Sequence, residues 1–187
     1  MSTLPRNLSP KGAQRREEIL AAAMAEIREQ GYRSTSLRGI GRALGVQPAQ
    51  ILHYFASREE LLETVLRRWD DESEQVLAAA GRPFLDVWPE IVRQNTTVPG
   101  FVNLYTSLAA EATDPAHPSH DFFRARFRRV RDLIAGDLAA RQVRDPERAA
   151  LHLVAFSDGL QLQWLVDRSI DLAAELTYEI ARLDSTT

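Results

Sequence analysis

The sequence predicts an all-α protein, and three observations carry that expectation. Apolar residues recur at three- and four-residue spacing through most of the 187 residues. No stretch alternates apolar and polar residues with the period of two that a half-buried strand requires. Serine, aspartate, proline and glycine stand where helices would begin and end. Hydrophobic residues make up 44% and charged residues 26%, a globular balance that argues against disorder of the whole chain.

Residues 1–12 are mostly polar with two early prolines and read as a flexible arm. Ile19, Ala23 and Ile27, with Leu20 and Met24 beside them, predict a first helix over 14–30, and Gly31 suits its C-terminal cap. Thr35 and Ser36 offer a hydroxyl N-cap to a helix over 36–44, whose stripe is Leu37, Ile40 and Leu44 and whose stop is Gly45. Gly39 and Gly41 inside it are poor helix formers, so packing must hold it. Pro48 fits the first turn of a short helix over 48–54, with Ile51 and Phe55 on one side. Ser57-Arg58-Glu59-Glu60 is a capping box. It opens a long helix striped by Leu62, Val65, Leu66, Trp69, Ser73, Val76, Leu77 and Ala80 and closed by Gly81 and Pro83. Helices over 84–95, 101–112, 120–141, 146–168 and 171–183 follow, about nine in all. Asp114–Ser119 forms a proline-bent loop, and Asp145-Pro146 reads as an N-cap with a first-turn proline.

Cysteine is absent, which excludes disulfides, thiolate metal sites and cysteine nucleophiles. No apolar run approaches the ~20 residues of a membrane span. Met1 to Pro10 lacks the apolar core of a secretory signal, so a cytoplasmic protein is expected. The net charge of −3 argues against nucleic acid only as a total. Residues 1–68 carry 11 Lys+Arg against 7 Asp+Glu, or +4, and residues 69–187 carry 12 against 19, or −7. A basic module joined to an acidic body is the expectation.

The basic segment has the pattern of a helix-turn-helix. Leu37, Ile40, Leu44, Val46, Ile51 and Phe55 form its core, and Gly45 frees the turn. Such a motif lays its second helix in the major groove. Arg38, Gln47 and Gln50 are then candidates for base edges, with Pro48 and Ala49 beside them at the helix start. His53, Tyr54 and Arg58 are candidates for phosphates.

Gly31-Tyr32, then Ser34-Thr35-Ser36-Leu37-Arg38, Ile40, Ala43-Leu44-Gly45-Val46 and Ile51-Leu52-His53-Tyr54-Phe55 with Ser57-Arg58-Glu59-Glu60-Leu61-Leu62 resemble the tetracycline-repressor family of bacterial transcription regulators. The likeness covers about residues 15–65. Asp158-Gly159-Leu160-Gln161-Leu162-Gln163-Trp164 also looks like the dimerisation helix of many members. The resemblance implies a helix-turn-helix domain over 13–58 and an α-helical ligand-binding and dimerisation domain over 59–187. It implies a palindromic operator in double-stranded DNA and a small-molecule inducer lodged among the body helices. Pro48 and Ala49 replace a common lysine-glycine pair, and Leu52 replaces a phosphate-contacting tyrosine. Phosphate anchoring then shifts toward Thr35, Tyr54 and Arg58, with Ser36 a further DNA-contact candidate.

In the body, the helix over 146–168 is apolar on two faces, and one of them is expected to meet a second copy. Leu151, Ala155, Gly159, Leu162, Leu165 and Val166 are its interface candidates. Phe127 and Ile134 of the preceding helix complete a four-helix contact in a homodimer. Trp88, Phe101, Tyr105, Phe122, Phe123, Phe127 and Phe156 could be plain core or the wall of an apolar pocket. Asn103, Tyr105 and Gln163 are its candidate polar anchors, for a largely apolar or aromatic inducer. The run Arg124, Arg126, Arg128, Arg129 and Arg131 reads as a solvated or salt-bridged face. Asp114, His117, His120 and Asp121 have the right types for a metal but no ligand spacing, and Ser157-Asp158 with His152 lacks a nucleophile elbow. Neither a cofactor nor an enzyme activity is expected. A helical enzyme or scaffold that keeps a helix-turn-helix, and a transcriptional activator, are the alternatives.

Overall fold

Helix caps and apolar stripes translate almost element for element into the computed structural model, which describes residues 9–184. Among them are nine α-helices and no strand: α1 Pro10–Gln30, α2 Leu37–Leu44, α3 Pro48–Leu52, α4 Arg58–Ala80, α5 Phe84–Thr96, α6 Pro99–Glu111, α7 His120–Ala140, α8 Pro146–Val166 and α9 Leu172–Asp184.

Helices α3, α5, α6, α8 and α9 begin or end one or two residues from expectation, and three further local features differ for an identifiable reason. Helix α1 starts four residues early, because the Ser9 hydroxyl accepts the Gly12 N–H at 3.2 Å and Pro10 takes the first turn. Residues 10–12 of the expected arm are therefore helical, and residues 1–8 lie outside the described residues. A 3₁₀ turn, Tyr32–Ser34, follows Gly31 where a plain connection was expected. Asp145 occupies the N-cap position of α8 in a left-handed conformation, φ 55°, and its carboxylate does not cap the helix.

Helices α1 to α4 pack as a head. Ile19, Leu20, Ala23 and Ile27 of α1 meet Ile40 of α2, Ile51 and Phe55 around α3, and Leu61, Leu62 and Val65 of α4. Phe55 and Ile51 are fully buried. Helix α4 then leaves the head, and its apolar stripe opens. Trp69 is the last buried residue on it, and Val76 is exposed.

The remaining helices form the body. Helix α7 lies along α8, α5 packs on α9, and α6 crosses between α8 and the head helices α1 and α4. Helix α5 has only Pro83 at its N-cap; the Asp137 carboxylate of α7 supplies the missing acceptor to the Leu85 N–H at 2.9 Å. No helix is long and apolar enough to cross a membrane among the described residues.

Candidate nucleic-acid interface and body cavity

The turn between α2 and α3 is closed by backbone. The Val46 N–H donates to the Gly41 carbonyl at 2.8 Å, and a Cβ on Gly41 would stand 2.5 Å from the Val46 carbonyl oxygen. Glycine at 41, costly to an isolated helix, is what lets the two helices close. The Ser36 hydroxyl caps α2 through the Gly39 N–H at 3.1 Å, and the Ser57 hydroxyl caps α4 through the Glu60 N–H at 3.1 Å.

Around this turn the structure brings Ser36, Arg38, Gln47, Ala49, Gln50 and His53 to the exterior. Pro48, Tyr54 and Arg58 are half-buried. The Gln50 side-chain carbonyl accepts the Gln47 N–H at 2.9 Å, so its amide NH₂ is the part left for a base edge. Arg58 lies 5.3 Å over the Tyr32 ring, and His53 meets Tyr54 edge-on at 5.1 Å. Thr35 corrects one expectation. It is 3% exposed and its hydroxyl donates to the Gly31 carbonyl at 2.9 Å, so it fastens the 3₁₀ turn and offers no side-chain donor to a phosphate. Leu52 is 40% exposed at the same rim.

A cavity of about 120 Å³ lies in the body between α4, α5, α6, α7 and α8. Its apolar wall includes Trp69, Phe84, Trp88, Val102, Phe127 and Val154. Phe84 and Trp88 stack at 5.3 Å. The polar wall is a chain of charges, buried at Arg126 and Asp70 and half exposed at Arg129 and Glu74. Arg126 forks onto Asp70 with Nε and Nη2, each at 2.8 Å. Arg129 reaches Asp70 at 3.2 Å and Glu74 at 3.0 Å. The Arg126 guanidinium also lies 4.6 Å over the Tyr105 ring, and the Tyr105 hydroxyl donates to Asp158 at 2.8 Å.

Burial sets the titration of this chain. It pushes the Asp158 carboxyl above its ordinary range, against the Tyr105 hydrogen bond and the Arg126 charge. Burial likewise raises the Tyr105 phenol far beyond its usual value. Burial opposes the charge of Arg126, but Asp70 outweighs it and the guanidinium is held more firmly protonated than usual.

Of the expected pocket residues, Trp88, Tyr105 and Phe127 line the cavity. Phe101 is fully buried behind Trp69, with ring centroids 5.5 Å apart. Phe123 sits behind the wall, 5.9 Å from both Tyr105 and Phe127, and Phe122 is buried beneath Arg67. Asn103, Phe156 and Gln163 lie off the cavity, and Gln163 is exposed. Each is one or two residues from a lining position, Val102, Val154 or Gln161, and a helix turns about 100° per residue, so they face elsewhere. Sequence reasoning did not single out Asp70, and it assigned Arg126, Asp158 and Gln161 to other roles, although all four line the cavity. One signal was available: Asp158 is the single Asp, Glu, Lys or Arg between Arg148 and Asp167. The arginine run is salt-bridged as expected at Arg126 and Arg129, but Arg126 points into the body and is no solvated residue.

On the other face of α8, Leu151 is 47% exposed, Leu162 59% and Val166 86%, with Ala155 and Gly159 exposed between them and Leu165 half-buried. Ile134 is fully buried within the chain and Phe127 faces the cavity, so neither is available to a partner surface as expected. His117 and His120 are tied to the chain itself, the former accepting the Ser119 N–H and the latter meeting the Ala112 carbonyl.

Residues 19–65 match the family of bacterial regulatory proteins, tetR family. The repressor KstR2 of Mycobacterium tuberculosis is 39% identical over 57 residues, which span 30% of this chain and only 28% of KstR2. The regulator BetI of Rhizobium meliloti is 29% identical over 157 residues, covering 80% of this chain and 77% of BetI. The crystal structure of the repressor FadR of Thermus thermophilus, in complex with lauroyl-CoA, superposes with a TM-score of 0.58 at 26% identity over 90% of this chain and 92% of FadR.

Proposed function

We propose, from the premise that this chain belongs to the tetR family of bacterial regulatory proteins, that it is a homodimeric transcriptional regulator whose hold on DNA is set by a small molecule in the body cavity. The observation that carries this reading is the route from cavity to head. Helix α6 lines the cavity through Val102 and Tyr105, and both its ends touch the head. Gly100 is pressed so closely on the Ile27 carbonyl of α1 that no side chain fits between them. Tyr32 reaches Glu111 at 3.5 Å. Helix α4 does the same, with Trp69 and Asp70 on the cavity and Leu61, Leu62 and Val65 in the head core. A ligand that prefers one spacing of these walls necessarily biases the head, by no more than its differential affinity for the two arrangements.

The DNA-binding domain, residues 13–58 braced by the first turns of α4, then reads an operator in the bacterial cytoplasm. Arg38, Gln47 and Gln50 face base edges; Ser36, His53, Tyr54 and Arg58 approach phosphates, with Pro48 and Ala49 at the groove floor. The body, residues 59–187, holds the ligand and the partner. Leu151, Ala155, Gly159, Leu162, Leu165 and Val166 bury against the same face of a second copy, a self-complementary contact that sets two heads about 34–36 Å apart on a palindromic operator. Repression relieved by the ligand is the form of regulation we favour. FadR was solved with lauroyl-CoA, which supports a ligand site in this fold.

The decisive experiment is a gel shift with the DNA flanking the chain's own gene, repeated across salt concentrations. Selective binding that weakens steeply with salt is expected, from a particle of twice 21.1 kDa in light scattering. No binding at low salt, or a monomer, defeats the reading. Gln50→Ala should relax base preference at one operator position by about 1–3 kcal/mol in a site selection, and an unchanged preference removes Gln50 from the base-reading set.

A further inference from the structure

Every cation on the cavity wall is already matched by a carboxylate. Arg126 is forked onto Asp70, and Arg129 bridges Asp70 and Glu74. Counting these four groups together with Asp158, the wall holds three carboxylates and two guanidiniums, one negative charge in excess. That excess belongs to Asp158. Its partner is the neutral phenol of Tyr105, and among the described residues no cation stands in ion-pair contact with it. Arg126, stacked on the Tyr105 ring, is near enough to favour the Asp158 charge but is forked onto Asp70; the lining otherwise combines Ser157 and Gln161 of the same helix with apolar and aromatic walls such as Val154 and Trp88.

A buried carboxylate with one neutral donor is short of hydrogen-bond donors and of positive charge. Aromatic faces nearby attract cations through their quadrupoles and offer nothing to an anion. We propose that the ligand of this cavity is an organic ammonium compound with an apolar or aromatic body, its N–H or ammonium group set against Asp158 and its body against Trp69, Phe84 and Trp88. This assignment rests on reading the cavity as the effector site. A carboxylate ligand would find Arg126 and Arg129 already paired and would meet Asp158 as a like charge. A neutral ligand of the same shape would gain the apolar contacts but leave Asp158 without a counter-charge.

Three probes of one shape separate these cases: 2-phenylethylammonium, 2-phenylethanol and 3-phenylpropionate, titrated at neutral pH into the full-length protein. Trp69 and Trp88 line the cavity, so tryptophan fluorescence reports occupancy directly, with thermal shift as the second readout. The expected order is ammonium tightest, then alcohol, then carboxylate, with about tenfold or more between the first two. Asp158→Asn keeps the shape and an acceptor for Tyr105. It should bring the ammonium to within about threefold of the alcohol and leave the alcohol unchanged, and Asp158→Glu should restore the preference. The ranking in the unsubstituted protein stands even where a variant fails to fold. Equal binding of ammonium and alcohol, tightest binding of the carboxylate, or a cation preference that survives in Asp158→Asn overturns the ligand class and leaves the effector cavity intact. If none of the three perturbs the tryptophans or the melting temperature, the effector cavity falls, and the ligand class with it.

Discussion

The head and the body of this chain solve opposite problems. In the head, α1 to α4 close on each other until backbone meets backbone, as at Gly41 and the Val46 carbonyl, and the core of Ile19, Ile27, Ile40, Ile51 and Phe55 is almost solvent-free. In the body, helices of similar composition are held apart. A cavity persists among Trp69, Phe84 and Trp88, propped by the Asp70–Arg126–Arg129 chain and by Asp158 with Tyr105. Apolar packing without voids gives a rigid surface. Buried ion pairs contribute little net stability but fix a geometry and keep a space polar. The difference teaches that helices close on each other where small residues permit contact, and leave a cavity where large aromatics and charges forbid it.

The sharpest way to break the comparison is to remove packing from the head. Phe55→Ala deletes a fully buried ring and should destabilise by about 3–5 kcal/mol, read as a drop in denaturation midpoint together with loss of DNA binding. The same truncation at Trp88, which already faces a void, should cost distinctly less, and equal losses would erase the distinction between the two cores. Asp70→Ala attacks the body instead. It strands Arg126 without its forked partner and should cost about 3–5 kcal/mol if the pair is as buried as it stands, while Asp70→Ala with Arg126→Met should recover most of that loss. A simple additive result would place the pair in solvent.

Gly100→Ala tests the seam between the two regions. A methyl there meets the Ile27 carbonyl, and relieving it should cost about 1–3 kcal/mol. Operator affinity should shift with it, and ligand affinity in the cavity should shift the opposite way. Stability loss with both affinities unchanged would make α6 a mere support.

The smallest effect is the pH dependence at Asp158. Its carboxyl titrates above the ordinary range because it is buried, against the Tyr105 hydrogen bond and the charge of Arg126, which Asp70 partly neutralises. A raised native pKa means that the folded state holds the proton more tightly than the unfolded one. Stability is then greatest below the ordinary carboxylate range and falls as pH rises through the raised value. Asp158→Asn should flatten that part of the stability profile, seen by calorimetry in mildly acidic buffers. An unaltered profile would mean that the carboxylate is solvated.

Much of the fold was legible because caps and stripes are local. Ser36 and Ser57 cap the helices they precede, and the stripes at Ile19–Ile27 and Leu62–Trp69 are buried as their spacing predicts. Pro5 and Pro10 make Ser9 read as part of an arm, although it caps α1. The exposure of the rim around α2 and α3 followed from the motif, except at Thr35, whose hydroxyl turns inward to a carbonyl that no local pattern reveals. The cavity was legible only as a cluster of aromatics. Trp88, Tyr105 and Phe127 line it, but Phe101 and Phe123 do not, since one side of an apolar helix looks like another until its neighbours are known.

By itself, then, the sequence determined what lies within a few turns of chain: the helices, their caps, the helix-turn-helix core, and the split between a basic head and an acidic body. These depend on interactions between residues three to four apart, which spacing records. Tertiary structure alone decided which charges meet. Asp70 and Arg126 are 56 residues apart, Tyr105 and Asp158 are 53 apart, and Asp137 caps a helix 52 residues before it. Such pairs are set by how helices cross, and a buried charge is stable only where the crossing supplies its partner.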